Sequence, residues 1–117
     1  MKASGKTPLL RARNIEKKLG VKRIYIKLEG TNPTGAKQDR LTKQIILMAL
    51  KQNYSNILVE GSKPYLKSMS YYAKIFNAHL VVPQFKHQKW KSKLGDHVKL
   101  LDYKTKNRSK NYRFYQD

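Results

Sequence analysis

A short polar turn between two apolar runs carries residue types that could do chemistry. The stretch from Lys27 to Arg40 reads KLEGTNPTGAKQDR and is punctuated by Gly30, Pro33 and Gly35. The flanking apolar runs predict a strand, then a tight turn, then the start of a helix. Backbone N–H groups of such a turn can hold an anion or a cofactor at the helix N-terminus. Most turns of this composition only reverse the chain.

Several short motifs follow one another in the first 40 residues: Gly5-Lys6-Thr7-Pro8-Leu9, Lys27-Leu28-Glu29, Asn32-Pro33-Thr34-Gly35 and Asp39-Arg40. Their order and spacing resemble threonine synthase and, more broadly, the pyridoxal-phosphate (PLP) enzymes of fold type II, the tryptophan-synthase-β type. The sequence therefore resembles a shortened N-terminal part of such an enzyme, and a weaker similarity continues to about Asp102. This resemblance implies an α/β fold derived from an enzyme that uses PLP.

The sequence departs from that family where PLP and substrate would bind. In the family, a lysine before Asp-Arg forms the Schiff base, and the residue at that position here is Gln38. An amide nitrogen is delocalised into its carbonyl group and cannot form an imine. Lys37 lies one residue early, about 100° around a helix. A one-residue shift that makes Lys37 the imine former is the weaker alternative.

Two further departures concern the substrate and the phosphate. The family's loop for the substrate carboxylate is replaced by Gly61-Ser62-Lys63-Pro64-Tyr65. The resemblance also ends before the family's glycine-rich phosphate site. We therefore expect a degenerate, non-catalytic relative that uses no cofactor.

The balance of charge is the strongest signal in the composition. Twenty-six Lys and Arg residues face seven Asp and Glu residues, which gives a net charge of +19 in 117 residues. A small domain with this charge repels itself unless a polyanion neutralises it. We predict nucleic acid as the partner, and a basic surface that serves only solubility is the alternative. An anionic membrane is disfavoured because no strongly amphipathic basic helix stands out.

The length and composition limit the organisation of the chain. We expect one α/β domain over residues 1–102, followed by a basic aromatic tail over residues 103–117. The sequence has no cysteine, which excludes disulfides and thiolate metal sites. His79, His87 and His97 lack a metal-ligand spacing with carboxylates, so we predict no metal. Without an apolar span or signal-peptide core, a cytoplasmic location is the expectation.

Strand and helix patterns alternate along the chain. The predicted strands cover residues 24–28, 56–60, 79–83 and 98–102, and the predicted helices cover residues 12–19, 41–52, about 62–76 and 87–94. The alternation predicts a small parallel sheet, with a mixed edge, covered by helices in a three-layer arrangement. The predicted inner faces are Leu41, Ile45, Met48 and Leu50 on one helix, and Leu66, Met69, Ala73 and Phe76 on the next.

Cations and aromatic residues are concentrated in two segments, and no carboxylate occurs between Gly61 and Gly95. Cations contact phosphates and exposed aromatics stack on bases, a combination that favours single strands. No helix-turn-helix, zinc or RNP-type motif is present, so little sequence specificity is expected. The residues assigned to nucleic-acid binding are Lys86, Lys89, Trp90, Lys91, Lys93, Lys104, Lys106, Arg108, Lys110, Tyr112 and Arg113.

These observations predict an accessory protein that binds single-stranded DNA or RNA and assists a larger replication enzyme, such as a polymerase or primase of a mobile element. Two competing interpretations are that Trp90 packs against the sheet and that the tail aromatics Tyr112, Phe114 and Tyr115 dock on a protein. The alternative functions are a residual PLP-binding module, half of a split PLP-dependent lyase, and a structural adaptor.

Overall fold

The fold is described by a computed structural model covering residues 3–84 and 88–102. The strands are β1 (Leu9–Arg11), β2 (Tyr25–Lys27), β3 (Asn56–Leu58), β4 (His79–Gln84) and β5 (Val98–Asp102). The helices are α1 (Arg13–Leu19), α2 (Asp39–Lys51) and α3 (Lys63–Ile75), with short 3₁₀ helices at Glu29–Thr31 and Lys89–Lys93. The described part of the chain is therefore an α/β structure.

The five strands form two separate sheets. β1 and β2 pair antiparallel, with Leu10 opposite Ile26. β3, β4 and β5 form a parallel sheet in that order, in which Ile57 pairs with Leu80 and Val82 pairs with Leu100. The predicted small parallel sheet with flanking helices is confirmed, and the antiparallel pair stands apart from it.

The hydrophobic core lies between α2, α3 and the parallel sheet. Leu66, Met69 and Ala73 on α3 are fully buried, as their helical spacing predicts, and Phe76 packs partly buried against them. Asn77 has a φ of 56°, a left-handed conformation that suits a residue just beyond a helix. The inner face predicted for α3 is therefore confirmed.

The inner face predicted for α2 is wrong in two of its four residues. Leu41 is 57% exposed and Met48 is 60% exposed, whereas Ile46 is fully buried. The other buried residues of this helix are Asp39 and Thr42. Both polar side chains hydrogen-bond towards α3, and these bonds set which face of α2 turns inward.

Helix and strand ends differ from the predicted ones by a few residues. The predicted helix over residues 87–94 is the 3₁₀ helix Lys89–Lys93, and residues 85–87 lie outside the described residues. Gly95 follows it with a φ of 116°, and Gly20 ends α1 in the left-handed conformation. Ser62 occupies the N-cap position of α3 without a side-chain hydrogen bond, while Ser68 lies buried inside that helix.

The N-terminal unit, made of β1, α1 and β2, is poorly covered. All three residues of each strand are exposed, and the exposed set includes Leu9, Leu10, Tyr25 and Ile26. An isolated two-stranded sheet is marginally stable in water, so this unit depends on polar contacts with the rest of the chain. The boundary predicted after residue 102 stays a prediction, because residues 103–117 lie outside the described part.

Candidate functional site

The polar turn after β2 is held by its own side chains. Asn32 is buried and accepts a hydrogen bond from the Gly5 N–H at 2.8 Å. Its amide nitrogen donates to Glu29 at 2.9 Å and to the carbonyl of Ala36 at 3.1 Å. Gly35 allows the turn because its φ is 79°. These hydrogen bonds hold the turn in one defined conformation.

Asp39, the first residue of α2, occupies the place where an anion would bind. Its buried carboxylate accepts the Thr34 N–H at 2.8 Å and the hydroxyl groups of Thr34 and Ser68, both at 2.5 Å. The Ser68 and Thr42 hydroxyls lie 2.6 Å apart and complete the cluster. The Thr34 N–H is thus satisfied by a carboxylate of this chain.

A second carboxylate ties the N-terminus to the turn. Arg40 donates to both oxygens of Glu29, at 2.8 Å and 2.7 Å, and to the carbonyl of Gly5 at 3.0 Å. Thr7 donates its hydroxyl to Glu29 at 2.9 Å. The Arg40 guanidinium, followed by the Asn32 amide, lowers the pKa of Glu29 to about 2.

Gln38 and Lys37 are the residues of the turn that bear on covalent binding of PLP. Gln38, at the position of the family's imine-forming lysine, is half-buried and caps the start of α2 with helical backbone angles. Its side chain offers an amide where the imine needs an amine. Lys37 beside it is exposed.

An ion pair between a buried lysine and a partly exposed glutamate lies at the carboxyl end of the parallel sheet. Lys91, only 1% exposed, places its ammonium 2.9 Å from both carboxylate oxygens of Glu60 and donates to the Pro83 carbonyl at 2.6 Å. The sequence predicted Lys91 as a phosphate contact. The structure places Lys91 inside the protein, where Glu60 neutralises its charge. A phosphate contact needs an exposed cation, which Lys91 is not.

The other predicted binding residues fall into three groups. Lys89 and Lys93 are exposed. Trp90 is half-buried and packs against the core, with the ammonium groups of Lys63 and Lys91 each 5.8 Å from its ring centre. The predicted residues outside the described part are Lys86, Lys104, Lys106, Arg108, Lys110, Tyr112 and Arg113, and their role stays a prediction.

An open groove of about 380 Å³ runs along the outer side of α3. Lys67, Tyr71 and Lys74 line one wall, and Lys93 lies on the other. Of these four residues, only Lys93 is predicted from the sequence to bind nucleic acid. The missed signal was the spacing of Lys67, Tyr71 and Lys74, which is typical of one stripe on a helix.

Most carboxylates of the described residues form ion pairs or hydrogen bonds with other groups of this chain. Glu16 pairs with Arg11 at 2.9 Å, and that guanidinium lowers the pKa of Glu16. Glu29, Asp39 and Glu60 make the internal contacts given above. Asp96 lines the groove, and the side chain of Asp102 is not described. Few carboxylates are therefore left to offset the exposed lysines of this surface.

Neither a metal nor a membrane is indicated by the described residues. Residues 3–84 and 88–102 contain no group of three or more His, Asp or Glu side chains placed to hold a metal ion. In the same ranges, no helix combines the length and the apolar character that crossing a bilayer requires.

Comparison with known proteins defines the family. The sequence profile of the family described as pyridoxal-phosphate dependent enzyme matches residues 1–94. The chain therefore belongs to this family, and its parallel sheet and helices have the fold type II arrangement. The family membership agrees with the resemblance carried by the turn motifs.

Individual relatives are similar over part of their length. Threonine synthase from Methanocaldococcus jannaschii is 58% identical over 36 residues, which are 31% of this chain and 9% of that protein. Serine racemase from Dictyostelium discoideum superposes with a TM-score of 0.72 and 23% identity, over 93% of this chain and 37% of that one. An O-acetylserine dependent cystathionine β-synthase from Helicobacter pylori superposes with a TM-score of 0.64 and 22% identity, over 91% of this chain and 37% of that one. These solved structures establish the fold.

Proposed function

We propose that this chain is a non-catalytic member of the fold type II PLP family that binds nucleic acid, with single strands favoured over duplex and little sequence specificity. The observation that carries the proposal is the unequal use of charge. Glu16, Glu29 and Glu60 are paired internally and Asp39 is buried among hydroxyl groups. The lysines around the groove are left to attract a polyanion.

The absence of catalysis is part of the same proposal. Gln38 stands where the family's imine-forming lysine would be, and a carboxamide cannot take its role. This substitution argues against PLP as a working cofactor of this chain.

A larger protein partner is also proposed. The N-terminal unit exposes apolar side chains that a soluble protein normally covers, including Leu9, Leu10, Leu19 and Tyr25. A surface of this kind, joined to a strongly basic body, suits an accessory subunit of an enzyme that works on nucleic acid, such as a polymerase or primase of a mobile element in the cytoplasm.

The test is a binding titration of the whole chain with labelled single-stranded and duplex oligonucleotides across a salt series. The logarithm of the affinity should fall linearly with the logarithm of the salt concentration, because bound lysines release counterions from phosphates. Removal of residues 104–117 should weaken binding to the single strand. Absence of binding at low salt, or an affinity that ignores salt, overturns the proposal.

Family membership favours one second candidate, a residual PLP-binding module or one half of a split PLP-dependent enzyme. Lys37 is the amine nearest in sequence to the imine position. This candidate would be supported by an imine absorbance band after addition of PLP. Borohydride should then reduce the imine to a stable adduct, which mass spectrometry should locate on Lys37. A protein that keeps only the spectrum of free PLP would exclude a covalent site.

A further inference from the structure

We infer that the groove along α3 is a track for single-stranded nucleic acid, in which Lys67, Lys74 and Lys93 contact phosphates and Tyr71 stacks on a base. The inference rests on the proposed function and adds the site at which the single strand binds. It moves the centre of binding from the segment around Trp90 to a surface that includes only Lys93 of that segment.

The lysines are arranged on both walls of the groove. Lys67, Tyr71 and Lys74 follow one another at spacings of four and three residues, so they form one stripe along the helix. The rise of a helix puts Lys67 and Lys74 about 10 Å apart along its axis. Lys93 faces them from the end of the 3₁₀ helix. Among the side chains that the structure describes, none of these three lysines forms an ion pair with a carboxylate.

Tyr71 lies between the two lysines of α3 and offers an aromatic surface. Its side chain is 36% exposed, and its ring is perpendicular to that of buried Tyr72, with ring centres 5.0 Å apart. This contact fixes the ring before any ligand arrives, so little side-chain entropy is lost on stacking. Bases in a duplex hide their faces, whereas an unpaired base can lie on such a ring.

The two walls are connected below the lysines. The buried hydroxyl of Ser70 on α3 donates a hydrogen bond to the carbonyl of Leu94, which follows the 3₁₀ helix. This bond fixes the positions of the two walls relative to each other. Asp96 is the one carboxylate among the described lining residues, and its charge opposes phosphate there.

The experiment measures the affinity of the whole chain for a labelled oligothymidylate and for a duplex of the same length. The Lys67→Gln/Lys74→Gln variant is compared with Lys17→Gln/Lys18→Gln, which removes the same charge from the exposed side of α1. The groove variant should lose about tenfold in single-strand affinity relative to the control variant and reduce the salt slope by about two, one per phosphate contact. Asp96→Asn should raise the affinity.

The stacking role of Tyr71 has its own readout. Tyr71→Leu should lower single-strand affinity about tenfold and leave duplex affinity unchanged, since only an unpaired base presents its face. Tyr71→Phe keeps the ring and should bind like the wild type. Thermal unfolding checks that each variant is folded. If the Leu variant does not fold, the comparison of the groove and α1 lysine variants decides the inference.

Each result decides the inference. If the groove and α1 variants weaken binding equally, the attraction is spread over the whole surface. The groove is then not the binding site, while the proposed function survives. If Tyr71→Leu changes single-strand and duplex affinity alike, stacking in the groove is wrong. If the wild type binds no oligonucleotide at low salt, the proposed function itself fails.

Discussion

The ammonium of Lys91 lies 2.9 Å from both carboxylate oxygens of Glu60, although the two residues are 31 positions apart in the sequence. The pair joins the segment after β3 to the 3₁₀ helix that precedes β5. Lys91 also donates to the Pro83 carbonyl, so all the polar contacts of its buried ammonium come from the protein. This cation stabilises the sheet edge and is not offered to a ligand.

Removal of the counter-charge should destabilise the fold. We expect Glu60→Gln to lower the free energy of unfolding by about 1–3 kcal/mol, because the buried ammonium loses its charged partner. The cost stays below that of a fully enclosed pair, since the Glu60 side chain is 45% exposed. Denaturant unfolding measures it. The exposed neighbour offers the control Lys89→Gln, expected to shift stability by less than about 0.5 kcal/mol.

The Glu29–Arg40 pair should make stability depend on acid pH. The pKa of Glu29 is lowered from 4.5 to about 2 by the Arg40 guanidinium, so the folded state holds the ionised form. The contribution of Glu29 is therefore complete above pH 4.5 and is lost as the pH falls towards 2. Unfolding measured across this window should show a weaker pH dependence in Glu29→Gln, and an identical profile would contradict the pairing. Added salt should reduce the difference, because Arg40 is half exposed.

The hydroxyl cluster around Asp39 predicts a third effect. Ser68→Ala removes one of the donors to a fully buried carboxylate, and we expect a loss of about 1–3 kcal/mol in the free energy of unfolding. The matched control is Ser92→Ala, since that exposed hydroxyl bonds only to the nearby Lys89 carbonyl. Equal stability of the two variants would show that the Ser68 bond contributes nothing.

The orientation of α2 can be tested by truncating side chains on its two sides. Ile46→Ala should cost about 2–5 kcal/mol, because it opens a cavity in a fully buried site. Met48→Ala, at a mostly exposed site, should stay within about 0.5 kcal/mol. A larger loss of stability at Met48 than at Ile46 would mean that the Met48 side of α2 faces the core.

The sequence predicts α3 better than α2 for a physical reason. On α3 the apolar residues Leu66, Met69 and Ala73 recur at one helical spacing, so a single face can be inferred. On α2 apolar residues occur all around the helix, and the inward face is selected by hydrogen bonds of Asp39 and Thr42 to Ser68 on another helix. Bonds of that range are not visible in a local pattern.

The candidate site was predictable only in part. The excess of cations and the position of Lys93 follow from the sequence. The burial of Lys91 does not, because its partner Glu60 is distant in the chain. The stripe of Lys67, Tyr71 and Lys74 was visible as spacing, but the opposite wall exists only once the 3₁₀ helix is placed by the Ser70 contact.

The uncovered pair β1 and β2 has a consequence for handling the protein. At low ionic strength, electrostatic repulsion between these highly cationic molecules keeps their exposed apolar strands apart. At about 1 M salt, the screening length falls to about 3 Å. High salt therefore removes the repulsion that opposes aggregation, and aggregation should begin at the exposed edges of β1 and β2.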